Sequence, residues 1–285
     1  MNKDTNVDRK SNLLSTQIKK IPTIDGIPMF SLIEFNITEL CNRKCSFCPR
    51  YDTNLYPNRN EHISVETYEN IMRMLKKINY TGNILYSAFG EPLLHNNLYR
   101  IIELTKEYCP RCHLEIITNG DFIDLDNIRH LYNSGADTIL FSFYDGEHQV
   151  EDFKVLKNKL KLTDKQITFR RRFRRDETLY SNRAGLLYTS NEIKNKPCLY
   201  PFYQITIDYD GSVLCCPHEW RKRIVVGNTN ETNIVNLWNG EEYSKIRKNL
   251  IEGNRNFIPC RECDVDGTIM GKEHFELWKD YYEKN

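Results

Sequence analysis

The residues best suited to chemistry are three cysteines within eight positions, Cys41, Cys45 and Cys48, in the segment CNRKCSFC. They follow an apolar, strand-like run at 33–38, so we expect them on the loop that leaves this strand. Such a loop can turn its side chains toward one point, and converged thiolates bind soft metal centres. Three thiolates leave one position of a four-iron cluster open to a ligand that is not protein. The alternative is a structural zinc site, although zinc normally has four nitrogen or sulfur ligands.

The spacing C-x3-C-x2-C, with the aromatic Phe47 just before the third cysteine, resembles the signature of the radical S-adenosylmethionine (radical SAM) enzymes. The resemblance implies that the three cysteines hold a 4Fe-4S cluster, whose fourth iron binds the amino and carboxylate groups of SAM. In that family, one electron cleaves SAM to a 5'-deoxyadenosyl radical, which removes hydrogen from an unactivated C–H bond. A flavodoxin- or ferredoxin-like protein is the implied electron donor.

Composition excludes several other classes of protein. A net charge of +1 on 285 residues gives no support to a general nucleic-acid-binding role. The N-terminal residues MNKDTN contain no apolar segment for export, and the chain has no run of about 18 apolar residues, which a membrane span needs. The 10 cysteines are then expected to be reduced, in the cytoplasm, rather than paired in disulfides.

Strand and helix patterns alternate after the cysteine segment. Ser64 is the expected N-cap of a first helix. Further strands are expected at 84–88, 114–118, 138–143 and 167–173, with helices at 98–108, 125–132 and 150–160. This alternation predicts an α/β fold in which parallel βαβ units form a partial (β/α) barrel. Active sites of parallel barrels lie at the carboxyl ends of the strands.

The loops at these strand ends carry the candidate cofactor contacts. Gly90 and Glu91 resemble a Gly-Gly-Glu motif whose backbone holds the amino group of SAM, but Phe89 stands where the first glycine is usual. Ser142 ends the fourth strand, where the resemblance places a serine on the ribose of SAM. The segment 118–120 is either a plain turn or a ligand contact, and a turn is also the alternative at Ser142.

The last strand of the series contains alternating arginine and phenylalanine. Strand geometry puts Arg170, Arg172 and Arg174 on one face and Phe169 and Phe173 on the other. If the phenylalanines pack under the outer helices, the arginines point into the barrel, where they need anionic partners. In the family, an arginine near this point binds the SAM carboxylate. We expect the others to bind a phosphate or carboxylate of the substrate. The alternative is an exposed basic strand end.

A second set of cysteines follows residue 185. Asp210-Gly211 predicts a hairpin turn between strands at 203–209 and 212–216. Cys260 and Cys263 have the spacing of a metal knuckle. Four thiols are therefore expected to converge on one centre: Cys198, Cys216, Cys260 and Cys263.

This pattern resembles the SPASM/Twitch extension of radical SAM enzymes, in the shorter Twitch form that holds one auxiliary 4Fe-4S cluster. A structural zinc tetrathiolate is the alternative. Cys215 neighbours Cys216, and strand alternation predicts that the two point to opposite faces, which leaves Cys215 as a core residue or a hydrogen-atom donor. Cys109 and Cys112 lie away from the strand ends and are predicted to be structural.

The sequence therefore predicts a flexible tail at 1–28, a radical SAM core at 29–185, a small hairpin-plus-helix auxiliary module at 186–270 and a C-terminal helix at 271–285. An auxiliary cluster with four cysteine ligands has no open position for substrate but can accept an electron. This favours oxidation of a small polar substrate, as in the aminocyclitol dehydrogenases that the short module resembles. Three alternatives stay open: an epimerase that uses Cys215, a peptide-modifying maturase, and a non-enzymatic zinc-binding module.

Overall fold

The computed structural model describes residues 21–173, 180–189, 191 and 197–285. Within these ranges the chain forms one eight-stranded sheet and, before it, a small antiparallel hairpin. The hairpin strands are β1 (Thr23–Ile24) and β2 (Ile27–Pro28), and the sheet consists of β3 (Leu32–Phe35), β4 (Asn83–Tyr86), β5 (His113–Thr118), β6 (Thr138–Phe143), β7 (Ile167–Arg171), β8 (Gln204–Ile207), β9 (Ser212–Leu214) and β10 (Val225–Asn228).

Strands β3 to β7 are parallel neighbours in chain order. The connections between them contain the helices α1 (Val65–Lys77), α2 (Leu98–Tyr108), α3 (Leu125–Ser134) and α4 (Glu147–Leu160). This βαβ succession confirms the predicted α/β fold with a partial barrel. Because all these strands run the same way, their carboxyl ends meet at one edge of the sheet.

Helix α1 shows why the sequence pattern was informative. Ser64 caps its first turn, where the Ser64 hydroxyl accepts a hydrogen bond from the Thr67 N–H at 3.0 Å. The face toward the sheet buries Tyr68, Ile71 and Leu75. Each such side chain contributes about 1.5–3 kcal/mol by leaving water. Burial of this stripe therefore stabilises the helix more than the helix propensities of its single residues do.

The predicted hairpin around Asp210 and Gly211 is present, with Gly211 at a φ of +84°. Its first strand, β8, also pairs in parallel with β3, where Ile205 lies opposite Ile33. The cysteine-rich part is therefore continuous with the barrel sheet, which the sequence did not indicate. The predicted boundaries at residues 29, 186 and 271 stay a prediction.

Residues 23–28, predicted to belong to a flexible tail, instead form the β1–β2 hairpin and pack on the core. The Trp238 indole donates a hydrogen bond to the Pro28 carbonyl at 3.0 Å. Asp25-Gly26 is the turn, with both residues at positive φ, and this dipeptide was a hairpin signal that the prediction did not use. Residues 1–20 lie outside the described ranges.

The C-terminal part adds α5 (Tyr200–Tyr203), α6 (Ile234–Trp238), α7 (Glu241–Ile251) and α8 (Lys272–Lys284). Gly240, in an extended conformation, separates α6 from α7 and caps α7. Trp278 of α8 is buried, and the Arg247 guanidinium lies between the Trp278 and Trp238 rings at 3.8 and 4.0 Å. In the described ranges no helix combines the length and the apolar character that crossing a membrane requires.

Candidate functional site: two cysteine-lined cavities

A cavity of about 800 Å³ opens at the carboxyl ends of β3 to β7. Its volume lies in the range of about 300–1,000 Å³ that is common for small-molecule sites. Its walls contain nine of the residues predicted for the first site: Cys41, Cys45, Phe47, Cys48, Gly90, Glu91, Ser142, Arg170 and Arg172.

The three cysteines of the first motif are half-buried and all face this cavity. Burial, together with the charges that Cys48 and Cys41 would carry, raises the pKa of Cys45 to about 12. Burial likewise raises the pKa of Cys41, whose N–H donates to the Asn58 side-chain oxygen at 2.9 Å. Thiolates so close together need a compensating cationic centre. The donor set therefore fits a cluster held by three thiolates with one open position.

The Gly90–Glu91 segment fits tightly behind the cysteine loop. A Cβ on Gly90 would overlap the Thr38 carbonyl oxygen, so only glycine allows this approach. The buried Glu91 carboxylate accepts hydrogen bonds from the Thr118 hydroxyl and the Asn119 N–H, both at 2.7 Å. Burial raises the pKa of Glu91 to about 7. The Glu91 oxygens thus hold the loop after β5 in place.

Phe89, which replaces the usual glycine, does not fill the cavity. Its ring is buried against Tyr56 and Trp220, with centroids 6.1 and 4.7 Å away. Its carbonyl accepts a hydrogen bond from the Arg50 Nε at 2.5 Å. The aromatic side chain is therefore part of the wall, and Gly90 keeps its place at the cavity.

The alternation predicted for β7 is present. Phe169 packs against Phe143 and Phe153, at centroid distances of 5.6 and 5.0 Å, whereas Arg170 and Arg172 line the cavity. Arg170 and Ser142 are cross-strand neighbours, and the Arg170 Nε donates to the Ser142 hydroxyl at 2.8 Å. Arg174 lies outside the described residues.

A second, smaller cavity lies under the hairpin. All four predicted auxiliary thiols line it, namely Cys198, Cys216, Cys260 and Cys263. Burial raises the pKa of Cys198 to about 11 and that of Cys263 to about 12. Two of these cysteines are buried and two are half-buried, and the described residues that line the cavity include no carboxylate. Four such thiols form the donor set that iron–sulfur clusters use.

Cys215 also lines this second cavity, so the expectation that Cys215 and Cys216 point to opposite faces is wrong. Strand β9 ends at Leu214, and the alternation of a strand does not extend into the turn that follows. Cys109 and Cys112 are buried among core side chains and line neither of these cavities, in agreement with the predicted structural role.

Comparison with known proteins agrees with the two sets of thiols. Residues 35–179 match the sequence model of the radical SAM superfamily, and residues 198–264 match that of the SPASM iron-sulfur cluster-binding domain. The chain belongs to the radical SAM superfamily. The cofactors of this radical SAM enzyme are S-adenosylmethionine and 4Fe-4S clusters, as predicted, and the zinc-binding alternative loses its support.

One curated relative of this radical SAM enzyme is the S-adenosyl-L-methionine-dependent 2-deoxy-scyllo-inosamine dehydrogenase of Niallia circulans. It is 29% identical over 254 residues, which are 87% of this chain and 98% of the relative. The crystal structure of BtrN in complex with AdoMet and 2-DOIA is 28% identical and has a TM-score of 0.75, covering 86% of this chain and 96% of that chain. Native anSMEcpe with bound AdoMet shares the fold at 13% identity, with a TM-score of 0.54 over 90% of this chain and 96% of that one.

The two cavities of this radical SAM enzyme are adjacent. Tyr200, His218 and Val265 line both of them, and the Tyr200 and His218 rings meet edge to face at 5.0 Å. One layer of side chains therefore separates the four-thiol centre from the large cavity.

A buried ion network joins the cysteine-rich part to the cysteine loop. The Lys222 ammonium lies 2.9 Å from the Glu39 carboxylate and 2.5 Å from that of Asp208. Glu39 also pairs with Arg50 at 3.3 Å and accepts from the Tyr56 hydroxyl at 3.0 Å. Because Glu39 and Arg50 flank the three cysteines, this network anchors both ends of the loop.

Sequence reasoning missed two further cavity residues. Glu34 accepts a hydrogen bond from the Gln204 amide at 2.6 Å and another from the Ser87 hydroxyl. A carboxylate inside an apolar strand was a signal that could have marked Glu34. Arg183 lines the same cavity, 5.7 Å from the Trp220 ring, and burial lowers the pKa of its guanidinium. Arg183 lies in an irregular segment, where no periodic pattern could have indicated it.

Proposed function

We propose that this radical SAM enzyme oxidises a secondary alcohol of a small polar, carbohydrate-like substrate, with the auxiliary cluster as the electron acceptor. The observation that carries the proposal is the adjacency of the two cavities through Tyr200, His218 and Val265. A four-thiol centre offers no open position for substrate. Because residues that line its cavity also line the large cavity, it is close enough to take up an electron. The similarity to a 2-deoxy-scyllo-inosamine dehydrogenase over 98% of that protein supports the same reaction class.

In this proposal Cys41, Cys45 and Cys48 hold the first cluster, and the strand-end loops hold SAM. In the proposal the Gly90 backbone binds the amino group of SAM, Ser142 binds its ribose, and one of the two arginines, Arg170 or Arg172, binds its carboxylate. Phe47, which stacks on Tyr144 at 5.8 Å, closes the side of the cavity next to the loop. Cys198, Cys216, Cys260 and Cys263 hold the auxiliary cluster. When bound, these groups supply a hydrogen-abstracting radical and an electron acceptor.

The reaction then consists of three transfers from a CH–OH group. Cys41, Cys45 and Cys48 would hold the cluster that cleaves SAM, and Cys198, Cys216, Cys260 and Cys263 would hold the electron acceptor. With these groups bound, the CH–OH group would lose one hydrogen atom from carbon, one electron and its hydroxyl proton. The products would be a ketone, 5'-deoxyadenosine and methionine. The protein binds and orients the CH–OH group in the cavity between the barrel and the hairpin and limits the access of water to it.

The charges in the cavity favour a substrate with ionic groups. Arg183 lines the wall with Arg170 and Arg172, which favours a phosphate or carboxylate, while the Glu34 carboxylate favours an ammonium or hydroxyl group. A flavodoxin- or ferredoxin-like protein is the proposed donor of the electron that activates the first cluster. The 10 cysteines, all of them free thiols, favour the cytoplasm as the compartment.

The test is anaerobic reconstitution followed by assay with 2-deoxy-scyllo-inosamine and related aminocyclitols. We expect two 4Fe-4S clusters per chain and one ketone per 5'-deoxyadenosine. In the matched variant Cys260→Ser, 5'-deoxyadenosine should still form from SAM while ketone formation is lost. A colourless zinc protein, or ketone formation that survives in Cys260→Ser, would contradict the proposal.

The epimerase alternative needs a hydrogen donor in the large cavity, and Cys215 is not among its lining residues. Cys215→Ala is therefore expected to keep ketone formation. Deuterium taken up from solvent into a product of unchanged oxidation state, and lost in Cys215→Ala, would instead establish epimerisation.

A further inference from the structure

SAM can react only if it touches two separate parts of the chain at once. The first cluster belongs to the cysteine loop after β3, whereas the candidate SAM contacts Ser142 and Arg170 lie at the ends of β6 and β7. Some contact must fix the distance between these parts. The described structure places Arg43, which stands between Cys41 and Cys45, at this junction.

The Arg43 guanidinium is shared by two carboxylates from two different strand-end loops. Its Nε donates to Asp121 at 2.6 Å, and its Nη1 and Nη2 donate to the two oxygens of Asp145 at 2.9 and 2.7 Å. Nη2 also donates to the second oxygen of Asp121. Asp121 follows β5 and Asp145 follows β6, so one side chain ties the cysteine loop to both.

Two further contacts support the same junction. The Arg43 guanidinium lies 5.0 Å from the centre of the Tyr144 ring, and Tyr144 in turn stacks on Phe47 of the cysteine loop. Asn42 donates to Asp121 at 2.5 Å and accepts from the Asn119 amide at 2.8 Å. Because both Asn42 and Arg43 bind Asp121, the loop is held in position and in orientation.

We propose that Arg43 is a positioning residue, which sets the separation between the first cluster and the SAM-binding strand ends. The inference rests on the proposed location of that cluster at Cys41, Cys45 and Cys48. Reacting groups displaced by about 1 Å can lose a hundredfold in rate, so a contact at this junction affects catalysis more than stability. Partly exposed ion pairs contribute little to stability, and Arg43 itself is 18% exposed.

The shape of the side chain matters as much as its charge. A planar guanidinium can bond two carboxylates side by side, whereas an ammonium is a point charge that cannot satisfy both in fixed directions. Arg43→Lys is therefore expected to behave like Arg43→Gln. If the site used only the positive charge near the cluster, Arg43→Lys would behave like the unchanged protein.

The experiment compares Arg43→Lys, Arg43→Gln and Asp145→Asn with the control Arg129→Gln, which removes an exposed ion pair to Asp126 on α3. For each protein we would measure the iron and sulfide content, the thermal stability and the dissociation constant of SAM. A fourth measurement is the change that SAM causes in the EPR spectrum of the reduced first cluster. Both Arg43 variants should keep their iron and their stability but bind SAM roughly 10- to 100-fold more weakly, without the SAM-dependent spectral change. Asp145→Asn should weaken SAM binding less, because Arg43 keeps its ion pair with Asp121. The control Arg129→Gln should bind SAM like the unchanged protein.

Unchanged SAM affinity and spectrum in Arg43→Gln would overturn the inference, and so would rescue by Arg43→Lys. Loss of iron or of stability in Arg43→Lys, in proportion to lost SAM binding, would also overturn it, because Arg43 would then only maintain the fold. The proposed function fails instead if Cys45→Ala contains as much cluster iron as the unchanged protein.

Discussion

Replacing Lys222 with methionine is expected to destabilise the protein by leaving a buried carboxylate without its cation. Lys222 is the shared partner of Glu39 and Asp208, which are 2% and 1% exposed. Glu39 would keep its ion pair with Arg50. Among the described residues, Asp208 would keep two neutral donors, the Asn36 amide at 2.8 Å and the N–H of its neighbour Tyr209.

The magnitude follows from the burial of the network. Removing one partner of a buried ion pair typically costs about 3–5 kcal/mol. Because the Lys222 side chain is 26% exposed, solvent screens part of the interaction, and we expect a loss near the lower limit, about 3 kcal/mol. For a chain of this size, this lowers the melting temperature by roughly 6–12 °C.

The loss should depend on pH in a defined direction. Burial already raises the pKa of Asp208 with Lys222 present, and removing the cation raises it further. Native Asp208 then holds its proton at pH values where the unfolded side chain, with a pKa of about 3.9, has released it. The native state therefore binds more protons, so the stability of the variant falls as pH rises above about 4. Lys222→Met should be closer to the unchanged protein at pH 5 than at pH 8.

Thermal unfolding of the reconstituted protein at these two pH values is the assay, and the control is the double variant Lys222→Met with Asp208→Asn. The second change removes the unpaired charge, so it should recover most of the lost stability and abolish the pH dependence. A single variant with an unchanged melting temperature, or a deficit that Asp208→Asn leaves intact at both pH values, would refute this reasoning.

Three further predictions concern the large cavity. Cys45→Ala should lose the iron of the first cluster and all 5'-deoxyadenosine formation but keep the absorbance of the auxiliary cluster, which iron analysis and chromatography measure. Gly90→Ala would push a methyl group into the Thr38 carbonyl. It should weaken SAM binding in calorimetry while circular dichroism stays unchanged. Glu91 has a native pKa of about 7, above the unfolded value of about 4.3, so the stability of the apoprotein should fall as pH rises between these values. Urea unfolding across this range should show a flatter profile for Glu91→Gln.

Much of the barrel could be predicted because its signals are local. The helix at 98–108 and the strand at 138–143 have the predicted bounds, since the helix has an apolar face with helical period, the strand is a short, continuously buried run, and both have clear breaks at their ends. The prediction for the direction of Cys215 failed just beyond the point where strand β9 ends. At such a position the tertiary contacts set the backbone conformation, and no periodic sequence pattern predicts it.

The sequence alone indicated the metal-binding chemistry, because the covalent chain fixes the spacing of the thiols within one loop or knuckle. Three cysteines within eight residues predict a soft metal centre in any fold. Only the tertiary structure decided which distant groups meet. Asp121 and Asp145 are 78 and 102 positions from Arg43, and the parallel pairing of β8 with β3 brings the second cavity beside the first. Such contacts depend on how strands are ordered in a sheet, and no short-range pattern in the chain encodes that order.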